Sequence, residues 1–174
     1  MINSKIGLDD IDMKIVQIIQ KDPTITHTMI AKRVNRSQPT VGLRVKKLEK
    51  SGILHYQAGF NLNQVNLVYA KVDIETKYPE KIIKIIKKCP YMIHAYRVSG
   101  LNNLVVVIAA SSTKNVEKIV NFHFRNNPKI QNVTLEFITG IINEFILPLG
   151  LNFKQCECSK VIDNEQEQLW EVGH

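Results

Sequence analysis

Arg33, Arg36, Arg44, Lys46, Lys47 and Lys50 crowd between Ala31 and Gly52, and Glu49 is the only acid in that stretch. A helix biased in this way can lay one face along a phosphate backbone, so the partner it predicts is double-stranded DNA. Ser37 can cap a helix beginning near Gln38 by accepting from a free backbone N–H, and Pro39 is tolerated in the first turn, where its missing donor costs nothing. Val41, Val45 and Leu48 then share an inward face, while Pro39, Leu43, Lys46 and Lys50 face outward beside Gly42 and Lys47. Docked by its N-terminal end, this helix sets Gln38, Pro39, Thr40, Gly42 and Leu43 nearest the base edges and leaves Lys46, Lys47 and Lys50 for phosphates. Gln38 suits a bidentate pair with adenine, and Thr40 and Leu43 suit methyl contacts to thymine. Gly42 gives up about 1 kcal/mol of helix propensity relative to Ala, and close approach of the backbone to the groove would compensate. Arg44 flanks this surface, with a phosphate or a brace within its own domain as the two open roles.

Such a helix must be held by others. Leu8, Ile11, Ile15, Ile18 and Ile19 recur at helical spacing behind Asp9, Asp10 and Asp12, acids that the helix dipole favours in a first turn. Pro23 ends that helix, and Thr26 can cap a second from about His27 to Val34 with Met29, Ile30 and Val34 inward. The three helices enclose one small core, forming a helix-turn-helix. Ile53 to Phe60 is expected to leave it as an extended wing or hinge strand.

From Asn66 the period changes. LVYAKVDIET alternates as a half-buried strand does, and YPEKIIKIIKKCP returns to helical spacing. Tyr91 to Ser99 and Asn103 to Ala110 read as strands around the turn Gly100, Leu101, Asn102. Thr113 to Asn126 reads as a helix with Val116, Ile119, Val120 and Phe124 inward, and Val133 to Leu147 as a last strand region. The order is that of a ferredoxin-like βαββαβ domain with both helices on one face of an antiparallel sheet. The other face reads as rich in Val, Ile and Phe, so a second sheet is expected to cover it in a homodimer, which also suits a palindromic site.

The fold class is therefore α+β, an N-terminal winged helix-turn-helix domain followed by the ferredoxin-like domain. The expected divisions are residues 1–54 for DNA binding, 55–65 for a hinge strand or linker, 66–149 for dimerisation and effector binding, and 150–174 for a C-terminal extension. A net charge of +7 over 174 residues fits two small domains meeting a polyanion. The sequence carries no signal peptide and no run long enough to span a bilayer, which predicts a cytoplasmic protein with no membrane partner. It assembles no catalytic set: there is no glycine-rich phosphate loop, no pair of histidines at helical spacing for zinc, and no nucleophile with an evident base. His94 and His123 read as structural, and no cofactor is expected.

LDDIDMKIVQIIQKDPTITHTMIAKRVNRSQPTVGLRVKKLEKSGIL resembles the N-terminal winged helix of the leucine-responsive and asparagine-synthesis regulators, the Lrp/AsnC or feast/famine family of bacteria and archaea. Leu8, Asp9, Asp12, Ala31, Ser37, Arg44, Val45, Leu48, Glu49, Gly52 and Ile53 carry the match. The C-terminal half resembles the family's amino-acid-metabolism regulation (RAM) domain, including Gly100 before the third strand, so the likeness runs from about Leu8 to Leu147. The resemblance implies a sequence-specific transcription regulator that dimerises through its sheets. Dimers in the family commonly build octamers or related rings, and an amino acid or similar effector binds between dimers near the turn after the second strand. Carried over, that pocket involves Ser99, Gly100, Leu101, Asn102 and Asn103.

The sequence departs from the family pattern in two places. Members usually place an acid where this chain has Asn103, and a carboxylate is the obvious counter-charge for a ligand's ammonium. The tail from Gly150 to His174 runs beyond the usual end of the fold and contains Cys156, Glu157 and Cys158. Two thiols so spaced are weak candidates for a metal or an exchangeable disulfide, since a metal needs further ligands; Cys89 beside Pro90 reads as a small core residue. One alternative is therefore a DNA-binding metal or redox sensor using Cys156 and Cys158. The other is an enzyme resembling the siroheme decarboxylases, which share the two-domain fold but typically lack a strongly basic reading helix; Arg36, Lys46, Lys47 and Lys50 argue against it.

Overall fold

The computed structural model describes residues 7–142, 144–150 and 156–162. The chain divides into two compact units, the first ending at Gln57 and the second beginning at Ala58.

The first unit holds helices α1 (Asp10–Lys21), α2 (His27–Val34) and α3 (Gln38–Lys50). Each begins at a residue whose short side chain accepts from the backbone three positions on. Asp9 accepts from the Asp12 N–H, Thr26 from that of Met29 and Ser37 from that of Thr40, so every helix start satisfies one otherwise orphaned donor. α2 closes on Asn35 in the left-handed region (φ 51°), and the turn into α3 is correspondingly tight. Ile15, Ile19, Ile30, Ala31, Val34, Val41, Val45, Leu48 and Leu54 form the core. Met29 is not part of it: the side chain is 48% exposed, because Ile30, Ala31 and Val34 define the buried face of α2 and Met29 lies about 100° to one side. The expected extended wing is also shorter than its sequence suggests. Past Gly52, in the left-handed region at φ 73°, residues 53–59 form no strand, and pairing starts only at Phe60.

The second unit contains β1 (Phe60–Asn61), β2 (Val68–Thr76), α4 (Pro79–Ile86), β3 (Met92–Arg97), β4 (Leu104–Ala110), α5 (Thr113–Val120), β5 (Ile130–Phe137) and β6 (Ile146–Leu147). The main sheet runs β3-β4-β2-β5 with every pair antiparallel, which is the ferredoxin-like order. Ala70, Val72 and Ile74 on β2, with Leu104, Val106 and Ile108 on β4, pack against Ile82 and Ile86 of α4 and Val116, Ile119 and Val120 of α5. Two elements differ from their expected form. α5 gives way at Asn121 to a π-helical turn, Asn121–Arg125, which still buries Phe124. The last strand region divides in two: β5 stops at Phe137, and β6 pairs with β1 in a separate ribbon.

The sheet face away from the helices is less apolar than expected. Strand side chains alternate, so burying Ala70, Val72 and Ile74 sends Lys71, Asp73 and Glu75 to the opposite side. There Lys71 bridges Asp73 and Glu136. The apolar stripe on this face is essentially one strand wide, Val105, Val107 and Ala109 on β4. At one end Leu62, Tyr69 and Ala109 form a small second core under Ile138, Ile141, Phe145 and Leu147, with the Tyr69 hydroxyl donating to the Leu62 carbonyl at 3.1 Å.

Candidate nucleic-acid interface and effector loop

α3 presents the residues its sequence pattern singled out. Gln38, Pro39, Lys46, Lys47 and Lys50 are exposed, and Leu43 is 72% exposed although it is a large apolar side chain on a well-packed helix. An isolated exposed leucine is ordinary, but here it stands one turn along from Pro39 and between basic residues, on the face opposite Val41, Val45 and Leu48. Arg36 is exposed in the turn, where its guanidinium donates to the Asn35 carbonyl at 2.8 Å.

Ser37 and Thr40 are partly committed to the fold. Their hydroxyls pair at 2.7 Å while Ser37 also caps the Thr40 N–H, so Thr40 has its methyl left to offer a base. Gly42 is half-buried, and a Cβ built on it would lie 3.5 Å from His27 Nδ1. A methyl there would make only an ordinary contact with α2, so packing within the helix-turn-helix does not by itself require glycine at this position. Arg33 lines a shallow cleft of about 240 Å³ with Lys14, Gln17, Ile18 and Lys21, so it keeps company with α1 rather than with the start of α3.

Arg44 has the clearest geometry. Its Nη1 lies 2.6 Å from both Asp9 Oδ2 and Asp12 Oδ1, tying α3 to the N-terminus of α1. Of the two roles left open by sequence, the structure gives it the brace. The Asp12 N–H and then the Arg44 guanidinium hold the Asp9 carboxyl below its ordinary range, and the same two carboxylates raise the pKa of Arg44.

In the second unit, the loop joining β3 to β4 carries Ser99, Gly100 and Leu101, all exposed, with Leu101 at 82%, and the half-buried Asn102 and Asn103. Asn103 differs from the other four. Its Nδ2 donates to the Thr76 carbonyl at 2.7 Å and its Oδ1 accepts from the Thr76 N–H at 3.2 Å, a two-way clamp on the end of β2. With both ends of its amide engaged at Thr76, Asn103 fastens the sheet and keeps one N–H and one lone pair for a further partner. Asn103→Asp keeps an acceptor but loses the donor and faces the Thr76 carbonyl with a charge. We expect it to destabilise the protein by about 1–2 kcal/mol, read as a lower urea midpoint at unchanged slope. An unchanged midpoint would show that the clamp contributes nothing.

Sequence reasoning missed one grouping. Cys156 and Cys158 lie beside Cys89 and His123, with all four ligand atoms within 4.8 Å of one another. Nothing in the spacing of these residues along the chain announces that the end of α4, the π-helical turn and the tail converge.

Among the described residues no helix is long and apolar enough to cross a membrane. A helix-turn-helix with an exposed basic reading helix, joined to a ferredoxin-like domain, defines a DNA-binding regulator with a second domain suited to small ligands or partners. Comparison with known proteins places it further. Residues 8–55 match the winged helix-turn-helix DNA-binding family and residues 67–144 the Lrp/AsnC ligand binding domain. The HTH-type transcriptional regulator FL11 of Pyrococcus furiosus is 32% identical over 123 residues, covering 66% of this chain and 77% of that protein. The structure of LrpC from Bacillus subtilis superposes with a TM-score of 0.68 at 26% identity, covering 78% of this chain and 97% of that one. A transcriptional regulator from Neisseria meningitidis, crystallised with L-Met, matches at a TM-score of 0.72 and 22% identity over 83% of this chain and 97% of its own. The chain belongs to the Lrp/AsnC family of transcription regulators and is a DNA-binding regulator, not an enzyme.

Proposed function

We propose that this regulator binds two-fold-symmetric DNA sites as a homodimer, that dimers assemble further into an octamer or another ring, and that an amino acid or related small molecule modulates it. The observation that carries the reading is the exposed N-terminal half of α3, where Gln38, Pro39 and Leu43 stand clear of the core with Lys46, Lys47 and Lys50 behind them. Gln38, Pro39, Thr40 and Leu43 meet base edges; Arg33, Arg36, Lys46, Lys47 and Lys50 meet phosphates. The helix-free sheet face, with its apolar β4 stripe flanked by the charges of β2 on one side and by His94 and Tyr96 of β3 on the other, suits a second copy. The complex of the Neisseria protein with L-Met supports an effector of that class, held near Ser99, Gly100, Leu101, Asn102 and Asn103.

Selection of bound sequences from random duplex DNA, followed by a salt series on the winner, tests the reading. A palindromic motif with half-sites one helical turn apart, or a multiple of it, supports a dimeric reader, whereas steep salt dependence without any motif would overturn sequence-specific recognition. In the same series Lys46→Ala is expected to weaken selected and random DNA alike and to lower the salt slope by about one unit. A slope identical to that of the parent would remove Lys46 from the phosphate contacts.

A further inference from the structure

Cys89 lies just beyond α4, where its N–H donates to the Ile86 carbonyl at 3.3 Å. His123 sits in the π-helical turn that follows α5, a form of helix that is rare and often found at functional sites. Cys156 and Cys158 open the short 3-10 turn of the tail, Glu157–Lys160, with the Ser159 N–H donating to the Cys156 carbonyl at 3.0 Å. The Cys158 and Cys156 sulfurs are 3.0 Å apart, those of Cys89 and Cys158 3.7 Å, and Cys156 Sγ is 3.3 Å from His123 Nε2. These separations exceed the S–S bond length of about 2.05 Å, and all three cysteines are free.

From this geometry we infer that Cys89, His123, Cys156 and Cys158 form a tetrahedral Cys3His site for one zinc ion, which staples the C-terminal extension to the helix layer of the second domain. Zinc bonds of about 2.3 Å to sulfur and 2.0 Å to nitrogen place two sulfurs about 3.8 Å apart, and a sulfur and a nitrogen about 3.5 Å apart. The observed separations, from 3.0 Å to no more than 4.8 Å, bracket these edges, so small rotations of the side chains would close the shell. The donor set is the soft thiolate and imidazole combination that selects zinc over hard cations, and four protein ligands leave no open position, as in structural zinc sites. The cysteines are 3%, 7% and 0% exposed and belong to the main core, so the sulfur ligands are shielded from water and held by packing, while His123 is half-buried at the edge.

An independent feature docks the tail at the same place. Gly150 passes so close to Pro90, the neighbour of Cys89, that an added Cβ would stand 2.9 Å from the proline Cβ. Loading one Zn²⁺ onto three thiols and a neutral imidazole releases three protons and leaves one negative charge on the site, so affinity falls as the pH drops.

The test starts with the metal content of the full chain purified under reducing conditions, followed by replacement of bound metal with Co²⁺. One zinc per chain, and the visible absorption of tetrahedral cobalt thiolate, are expected. Cys156→Ser, the least buried thiol and the mildest change, should weaken zinc binding by more than about a hundred-fold, beyond what second-shell changes cost. His123→Ala should do the same and alter the cobalt spectrum. In the unmutated chain a chelator should speed tryptic cleavage at Lys160 several-fold, a readout that needs no variant to fold. Metal-free protein that takes up neither ion after reduction would overturn the inference. So would zinc retained at full affinity in the Cys156→Ser, Cys158→Ser double variant, or cleavage at Lys160 indifferent to chelation. None of these readouts involves DNA, so their failure leaves the reading of α3 untouched.

Discussion

Gln38→Ala is expected to weaken binding to the selected operator by about ten- to a hundred-fold while leaving random duplex nearly unaffected. The reasoning starts from position: Gln38 is the first residue of α3, exposed, and neither caps the helix nor enters its core. Truncating it should change stability by less than about 0.5 kcal/mol, so a loss of binding would not report unfolding. A bidentate side-chain amide on an adenine edge discriminates by about 1–3 kcal/mol, and that energy disappears only where the correct base was being read. Measuring both DNAs at one salt concentration checks the argument, because phosphate contacts scale with salt and base contacts largely do not. Equal losses on both DNAs would remove Gln38 from base reading and move the specificity to Thr40 and Leu43.

The second large effect concerns Arg44. Arg44→Ala is expected to destabilise the helix-turn-helix by about 2 kcal/mol, because Asp12, only 8% exposed, would keep its charge and lose its partner. That is at the modest end for a buried pair, since the Arg44 side chain itself is 29% exposed and partly screened. Arg44→Lys restores charge but not a planar fork set between two carboxylates, so it should recover part of the loss. Urea unfolding of the full chain measures the stability, and DNA binding well below the midpoint separates the two roles: a brace loses stability first, whereas a phosphate contact loses affinity at unchanged stability. Acid acts through the same brace. Because the folded pKa of Asp9 lies below its ordinary value of 3.8, its contribution is fully present above that value and lost as the pH falls through the lowered one. At neutral pH the brace is therefore insensitive to modest pH changes.

The helix-turn-helix was legible in the chain because its rules are local. A cap residue lies three positions before the donor it satisfies, and apolar side chains three and four apart share a face; Ser37, Thr26, Val41, Val45 and Leu48 follow both rules. Met29 shows the limit of the second rule. An apolar residue at the margin of a stripe goes in or out according to what packs opposite, and here the buried face is the one defined by Ile30, Ala31 and Val34. The same holds for the sheet. Alternation predicted β2 and the turn at Gly100 to Asn102 predicted the strands on either side of it, but which apolar residues back onto helices and which remain on the open face depended on pairing register, so the second face carries Lys71, Asp73 and Glu136 where Val, Ile and Phe were expected.

Sequence alone determined the order of elements, the family, and the residues of α3 that stand away from the core, since each depends on spacings within about one turn or one strand. Only the tertiary structure decided what the polar side chains do once distant segments meet. Arg44 reaches back to Asp9 and Asp12, Asn103 closes on Thr76, and Cys89 and His123 come to lie beside Cys156 and Cys158. Hydrogen bonds and metal shells depend on separations of a few ångströms between residues far apart in the chain, and no periodicity encodes such a distance.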